Sequence, residues 1–334
     1  MTNIALLGFG TVGGGVAEII MKNSAEIKAR TGLELNIKYI LDLRDFPDHP
    51  LGNRVVKSID TILCDPEVSI VVEMLGGTHP AYDFSKAALA AGKNVVTSNK
   101  AVVAEFGPEL LKIARDKGCR YLFEASVGGG IPIIRPMTDS LTTTDIYEID
   151  GILNGTTNYI LTRMKDAGIS YEEALKEAQK LGYAEADPSA DVDGFDSCRK
   201  ICILAAVAFG KLVPFEKVKT VGIRNVTLDD IKNAEATGCA VKLIAKAEMT
   251  EKGLRMSVEP TVVPNTNPLY GISDVFNGIL VKGRISGDIM FYGKGAGSLP
   301  TASAVLSDVI DIAHFGDRQP LQQLWETAPD MLVD

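Results

Sequence analysis

Residues 4–13 read Ile4-Ala5-Leu6-Leu7-Gly8-Phe9-Gly10-Thr11-Val12-Gly13. Residues 4 to 8 suit a short buried strand that runs into a glycine-rich turn, and a helical pattern follows from about Val12 to Arg30. In such a turn Gly8 permits the tight bend, Gly10 lets the backbone approach a pyrophosphate, and Gly13 lets the helix pack against the strand. The helix then offers the phosphate free N–H groups and the positive end of its dipole. Taken alone the glycine pattern is weak. Its place, directly after an apolar strand and at the opening of a helix, is what points to a bound dinucleotide.

Working outward, the strand and helix signals alternate. Strands are expected at Leu35–Leu43, Ile70–Met74, Val95–Val96 and Tyr121–Glu124, with helices at Ala81–Ala91 and Pro108–Lys117. That alternation specifies a parallel sheet with right-handed crossovers, a doubly wound Rossmann domain. The pattern then changes. Ile133–Leu141 reads as a helix and Ile146–Leu153 as a strand leading to Asn154-Gly155-Thr156-Thr157-Asn158. Helices are expected at Asn158–Ala167, Tyr171–Leu181 and Phe195–Phe209, with an acid-rich loop at Gly182–Gly194 and several strands between Ala240 and Met290. A second glycine-rich loop lies at Gly293–Gly297, and Thr301–His314 has helical spacing. The fold class is therefore α/β, a Rossmann domain over 1–133 and a second α+β domain over 134–300. Residues 301–334 are expected to form a helix packing back on the first domain, plus a tail.

The 334 residues are 46% hydrophobic and carry 34 basic against 43 acidic side chains, a formal charge of -9. An acidic chain with no basic block is poorly suited to a phosphate backbone or to an anionic membrane surface. The first residues lack a basic signal-peptide region, and no apolar run approaches the roughly 18 residues of a membrane span. Five cysteines without metal-ligand spacing favour reduced thiols and a cytoplasmic setting. No nucleic-acid or membrane partner is expected.

Several polar residues then stand out. Asp42 falls at the end of the second strand, where a Rossmann site places an acid on the ribose hydroxyls, though it lies 29 residues past Gly13 where about 20 is usual. The long first helix accounts for the excess; a solvated strand end is the alternative. Thr97-Ser98-Asn99-Lys100 follows a strand, at the sheet end where ligands sit. Lys100 could hold a substrate oxygen there; an isolated lysine is otherwise a surface charge. Residues 182–196 hold five acids without EF-hand spacing, a set suited to a substrate ammonium group. Asp196 and Lys200 stand at i, i+4 on one face. A surface ion pair is the bland reading, but Ile201–Val207 is apolar on nearly all sides, so this helix is buried and presents charge at its N-terminal end. The three histidines form no catalytic pattern, and His79 is at most a cofactor contact.

Together GFGTVGGGV (8–16), TSNKA (97–101), EASVGGGIPII (124–134), NGTTN (154–158), GYAEADPSADVDGFDSCRK (182–200) and YGKGAGSLPTASAV (292–305) resemble the homoserine dehydrogenase family, in the family's order and over most of residues 1–315. The segments 154–158 and 182–200 are specific to it, whereas the first glycine motif is shared by every Rossmann dehydrogenase. The resemblance implies an NAD(P)-dependent oxidoreductase of threonine, methionine and isoleucine biosynthesis that interconverts L-homoserine and L-aspartate 4-semialdehyde. It implies Lys200 as proton donor or acceptor and Lys100 as a second active-site lysine. Glu185 and Asp196 would bind homoserine. The expected cofactor set is Gly8, Phe9, Gly10, Thr11, Val12, Gly13, Asp42, Gly76, Thr97, Lys100 and Gly297. Similarity to the family's sodium site gives Glu124 with backbone oxygens of Val127, Gly129 and Ile131, and a homodimer through the 240–290 strands. A lysine ordinarily titrates near 10.4, which suits the acid role in the reducing direction.

Two departures from the family pattern are visible. Many members carry a C-terminal ACT-type regulatory domain, and a sequence ending at Asp334 is expected to lack it and any strong threonine inhibition through it. Many also have arginine where Asp42 aligns, suited to the 2′-phosphate of NADP. An acid favours NAD, with NADP still usable because Arg44 is close. Other readings are a different amino-acid or semialdehyde dehydrogenase and a nucleotide-sensing regulator. The first lacks a reactive cysteine with a histidine partner; the second has no use for Lys100, Glu185, Asp196 and Lys200 together.

Overall fold

Thr2–Leu7 forms strand β1, whose last four residues are fully buried. Gly8, at φ +92°, turns the chain into helix α1, Thr11–Thr31. Any side chain at Gly8 would be strained and would press on Met74 and Leu75. The parallel strands β2 (Leu35–Leu41), β3 (Val55–Val56), β4 (Val68–Glu73), β5 (Asn94–Thr97) and β6 (Tyr121–Leu122) complete the sheet in the order β3-β2-β1-β4-β5-β6. Between them run helices α2 (Ile59–Leu63), α3 (Ala81–Ala90) and α4 (Lys100–Lys117). The core of the sheet is a continuous apolar layer that includes Ile4, Leu6, Ile40, Ile70, Val72 and Val96, as a parallel sheet covered on both faces requires. Strand order reverses between β1 and β4. A crevice at the carboxyl ends of those strands is the ordinary ligand position of this architecture.

α4 begins eight residues before the Pro108 start that the sequence suggests. Asn99 caps it, its side-chain oxygen accepting the N–H groups of Ala101 and Val102. Pro108 sits inside the helix. Its neighbour Gly107 is small because the Trp325 ring lies against it: a Cβ there would come within 2.7 Å of the indole.

By compactness the chain forms two units, Met1–Gly130 with Ala296–Trp325, and Ile131–Gly295 with Glu326–Asp334. The structure describes residues 1–315 and 323–333. In the second unit, the expected helix at Ile133–Leu141 is present over residues 134–140, its Pro136–Ser140 part wound as a π-helix. Strand β7 (Ile146–Ile152) leads into helices α5 (Gly155–Ala167), α6 (Tyr171–Lys180), α7 (Ser189–Val192) and α8 (Phe195–Phe209). Strands β8 (Lys211–Leu212) and β9 (Lys219–Thr220) and helix α9 (Leu228–Ala236), none of them legible in the sequence, precede the long hairpin β10 (Cys239–Thr250) and β11 (Gly253–Pro264). A second hairpin, β12 (Phe276–Gly283) and β13 (Gly287–Lys294), follows. The second sheet runs β13-β12-β7-β10-β11-β9. One face is apolar, with Ile149, Ala245, Ala247, Ile279 and Val281 buried. The other carries an ion cluster in which Lys282 pairs with Glu148 and Asp150, and Lys246 with Glu148.

Helix α10, Ser298–Phe315, returns to the first unit. Ala302, Val305, Leu306, Val309 and Ile312 join the same core as Ile4, Val16 and Ile20. The short β14 (Glu326–Thr327) pairs with β8. Of the segment expected as helix and tail, 316–322 and 334 lie outside the described residues.

Candidate active site

In the first unit, the start of α1 is arranged for an anion. Gly10 stands at the N-cap with no side-chain cap bond, and no acidic residue occupies the first turn. The N–H groups there are left to a ligand, and the helix dipole favours negative charge. Nothing lies within 4 Å of where a Gly10 Cβ would be, whereas a Cβ on Gly13 would fall 2.2 Å from the Gly8 carbonyl oxygen. Gly10 thus keeps an approach open and Gly13 lets the helix close on the turn, so these residues fit a dinucleotide pyrophosphate. Ser298 Oγ donates to the Thr11 carbonyl at 2.6 Å, bringing the segment after Gly297 to the same turn. A groove of about 410 Å³ lined by Thr11, Gly14, Gly15, His49 and Ser298, among others, runs alongside.

Asp42 is buried just beyond β2 and bonded on both oxygens. Oδ2 accepts the Phe9 N–H at 2.9 Å and Arg44 Nη2 at 2.9 Å. Oδ1 accepts the Arg44 N–H at 2.9 Å and its Nε at 3.0 Å. The Arg44 guanidinium, helped by the two backbone N–H groups, holds the carboxyl well below the usual carboxylate range. The guanidinium itself is largely exposed and lies over the Phe46 ring, 5.1 Å from its centroid. Lys57 fastens the segment by donating to the carbonyls of Asp42, Leu43 and Arg44.

At the ends of β4 and β5 stands a buried network that joins the expected Thr97 to Glu73, a residue that sequence reasoning missed. Glu73 is fully buried, and burial pushes its carboxyl up to about 7 against the hydrogen bonds it accepts. Thr97 Oγ1 donates to it at 2.5 Å and the Leu75 N–H at 2.6 Å. Thr97 Oγ1 in turn accepts the Asn99 N–H at 2.9 Å. Asn99 Nδ2 donates to the carbonyls of Leu75 and Gly77. Gly76 lies exposed in the loop so held, and Lys100, half-buried, is the first residue of α4.

In the second unit, Asn154 caps α5 by accepting the Thr157 N–H at 2.9 Å. Both hydrogens of its amide go to carboxylates: Asp191 Oδ1 at 2.7 Å and Asp196 Oδ2 at 2.9 Å. Asp196 Oδ2 also meets Lys200 Nζ at 2.8 Å, and Nζ donates to the Leu153 carbonyl at 2.8 Å. Lys200 and Asp196 are 8% and 4% exposed, so the pair is withdrawn from water. A buried charge pair of this kind is costly unless further hydrogen bonds support it; here the Leu153 carbonyl takes a second Nζ donor and the Asn154 amide a lone pair of Asp196. Burial, and then the charge of Asp196, raise Asp191 above the usual carboxylate range. Asn154 and Asp191 were not singled out from sequence, although Asn before Gly at a helix start is a capping signal.

The other expected residues fall as follows. Glu185 is exposed, outside the Lys200 hydrogen-bond network; its backbone carbonyl accepts from Gln179 Nε2. Glu124 is 3% exposed in a 3-10 turn, and its N–H donates to Asp308 on α10. Val127 and Gly129 follow it, both buried, as is Ile131 at the start of the second unit. Among the described residues no group of three or more His, Cys, Asp or Glu side chains could hold a metal ion; the expected cation set has a single carboxylate and is of another type. His79 bonds Asp83 at 2.7 Å. All five cysteines are free thiols. Among the described residues no helix is long and apolar enough to cross a membrane.

Comparison with known proteins places both units in one family. The family profile described as "Homoserine dehydrogenase, NAD binding domain" covers residues 8–124, and the one described as "Homoserine dehydrogenase" covers 132–310. The homoserine dehydrogenase of Synechocystis is 46% identical, over 92% of this chain and 72% of its own length. The crystal structure of a homoserine dehydrogenase from Thiobacillus denitrificans superposes with a TM-score of 0.91 at 40% identity, covering 100% of this chain and 78% of that one. A hyperthermophilic archaeal homoserine dehydrogenase in complex with NADPH superposes with a TM-score of 0.79 at 31% identity, covering 93% and 97%.

Proposed function

The chain belongs to the homoserine dehydrogenase family, an oxidoreductase family interconverting L-homoserine and L-aspartate 4-semialdehyde with a nicotinamide cofactor, and from that premise we propose which residues carry each step. The cofactor, when bound, accepts or supplies the hydride. Its pyrophosphate rests on the Gly8–Gly13 turn, its adenosine ribose at Asp42, and its nicotinamide half against Gly76, Thr97, Lys100 and the Gly297 loop.

Lys200 is the proton donor in the reducing direction and the acceptor in the oxidising one. The observation that carries this is its hydrogen bonding: of three N–H donors, one meets Asp196 and one the Leu153 carbonyl, leaving the third for the substrate oxygen. Asp196 holds the ammonium in place and contacts homoserine. Glu185 pairs with the substrate ammonium through a charge-assisted bond, and Lys100 contacts cofactor and substrate. The deciding experiment is NADH oxidation with aspartate semialdehyde. Lys200→Ala should cut turnover roughly 10²–10⁴-fold; it also leaves the buried Asp196 without its cation, so the melting temperature should fall, and turnover is compared at a temperature where both proteins are folded. Near-normal turnover and substrate affinity would remove Lys200 from this role.

Three finer readings accompany it. NAD is the preferred cofactor and NADP remains usable. A monovalent cation, sodium by resemblance, is held by Glu124 and the carbonyls of Val127, Gly129 and Ile131; exchanging sodium for a bulky organic cation in the assay tests it. The enzyme is a cytoplasmic homodimer of threonine and methionine biosynthesis, paired through the strands at 240–290. Mass by light scattering tests the dimer.

A further inference from the structure

Glu73 and Asn99 lie behind the residues read above as binding or reacting, joined to them through Thr97. In a sheet of order β3-β2-β1-β4-β5-β6, one nucleotide half lies over the β1–β3 side and the other over the β4–β6 side. With Asp42 at the end of β2, the adenosine half takes the first and the nicotinamide half the second. The second side is built of two loops, Met74–Pro80 after β4 and Ser98–Asn99 after β5. The first residue of each loop is tied to the neighbouring strand, the Met74 N–H donating to the Leu7 carbonyl at 2.9 Å and the Ser98 N–H to the Glu73 carbonyl at 3.2 Å; the residues that follow rely on side chains.

The geometry points to Glu73 as a positioning residue for the nicotinamide half of the cleft, tying the loop that bears Gly76 to the helix start that bears Lys100. Its two oxygens divide the task. Oε1 takes the Leu75 N–H, fixing where the first loop leaves β4. Oε2 takes the Thr97 hydroxyl. Because that hydroxyl oxygen already accepts the Asn99 N–H, its own proton is free to go to Glu73, so the chain of bonds has one direction. Asn99 closes the loop from the other side by donating to Leu75 and Gly77 while its oxygen caps α4. The groups facing the carboxyl are thus the Leu75 N–H, the Thr97 hydroxyl and the Asn99 amide, with the buried Tyr121 phenol on β6 close enough to feel its charge. An apolar residue would fill the same space at less cost than a fully buried carboxyl. What the carboxyl alone supplies is the two-sided acceptor.

This inference rests on the reading of Gly76 and Lys100 as cofactor and substrate contacts. The test is Glu73→Gln in the full chain, which keeps the shape and the Leu75 bond but reverses the polarity of the Thr97 link. We expect kcat to fall about 10–100-fold, the cost of misplacing a held group by an ångström. NADH affinity should weaken severalfold, while ADP-ribose, which lacks the nicotinamide ring, keeps its affinity. Amide exchange should quicken at 75–77 and 99–102 and stay slow in β1 and α1. Asn99→Asp, which keeps the cap but loses the donors to Leu75 and Gly77, should show the same split. NADH and ADP-ribose weakening together, in step with melting temperature, would show a merely structural role and overturn the inference, as would unchanged kcat and exchange in both variants. Lys100→Ala separates the two levels. If it too leaves kcat unchanged, the reading of Lys100 has failed; if it abolishes turnover while Glu73→Gln does not, only the positioning role has.

Discussion

Asp42 carries the question of cofactor choice. From the sequence it is an acid awaiting ribose hydroxyls, with Arg44 an unplaced complication. In the structure Arg44 occupies both carboxylate oxygens through its side chain. A ribose with a free 2′-hydroxyl must displace part of that fork, whereas a 2′-phosphate would draw the guanidinium away and leave the carboxylate facing a like charge. The first costs less, so NAD should be favoured in kcat/KM, but modestly. Asp42→Ala should move the ratio toward NADP, by about tenfold or less for one charged bond lost, and Arg44→Ala should move it toward NAD. Measured kcat/KM for both cofactors decides it; a wild type that prefers NADP, or ratios that do not move, would transfer the choice to another residue.

At the scale of elements, Asn154 joins a helix cap to the reacting residues. Asn154→Ala should destabilise the fold by about 0.5–2 kcal/mol through the lost cap. It should also lower kcat at least about tenfold, because Asp191 and Asp196 lose the amide that separates them and Lys200 loses a fixed partner. Denaturation and steady-state rates on one preparation read both, and a normal kcat with a weakened fold would confine Asn154 to the cap. Elements marked by local chemistry were legible in the sequence: α8 is observed at Phe195–Phe209, as its unbroken apolar run suggests. The start of α4 was not. Gly107-Pro108 looks like a break, yet Gly107 is required by an indole 218 residues further on, and Pro108 is accommodated inside the helix. Glu73 was equally hidden, because a lone acid at a strand end announces nothing until its two loops are seen to meet on it. Lys200 with Asp196 was legible because the i, i+4 spacing is itself the contact.

At the scale of the molecule, the first unit is closed by a helix that arrives late in the chain. Gly14 and Gly15, adjacent in α1, show how closely α10 packs there. A Cβ on Gly15 would come within 2.7 Å of Ser298 Oγ and 3.1 Å of Ala302 Cβ, while one on Gly14 would meet nothing within 4 Å. The same substitution should therefore have opposite signs. Gly14→Ala should stabilise by up to about 1 kcal/mol through helix propensity. Gly15→Ala gains the same propensity but overpacks the contact, which costs about 1–3 kcal/mol, so it should destabilise. Thermal melting of the two variants without cofactor is sufficient, and two stabilised proteins would mean that α10 yields easily.

The return of α10 also imposes an order in time. Between Gly130 and Ala296 the ribosome must make the 165 residues of the second unit, roughly 8–33 s of synthesis at ordinary elongation rates. Throughout that interval the nascent nucleotide-binding half has its strands but not its last helix, and the apolar stripe that α10 will cover on α1 stays open to water or to a chaperone. The inserted half, nearly contiguous in sequence, can finish its two hairpins first. Translation speed across residues 131–295 thus becomes a variable in the yield of active enzyme, acting on a stretch of message that encodes none of the glycine turn it protects.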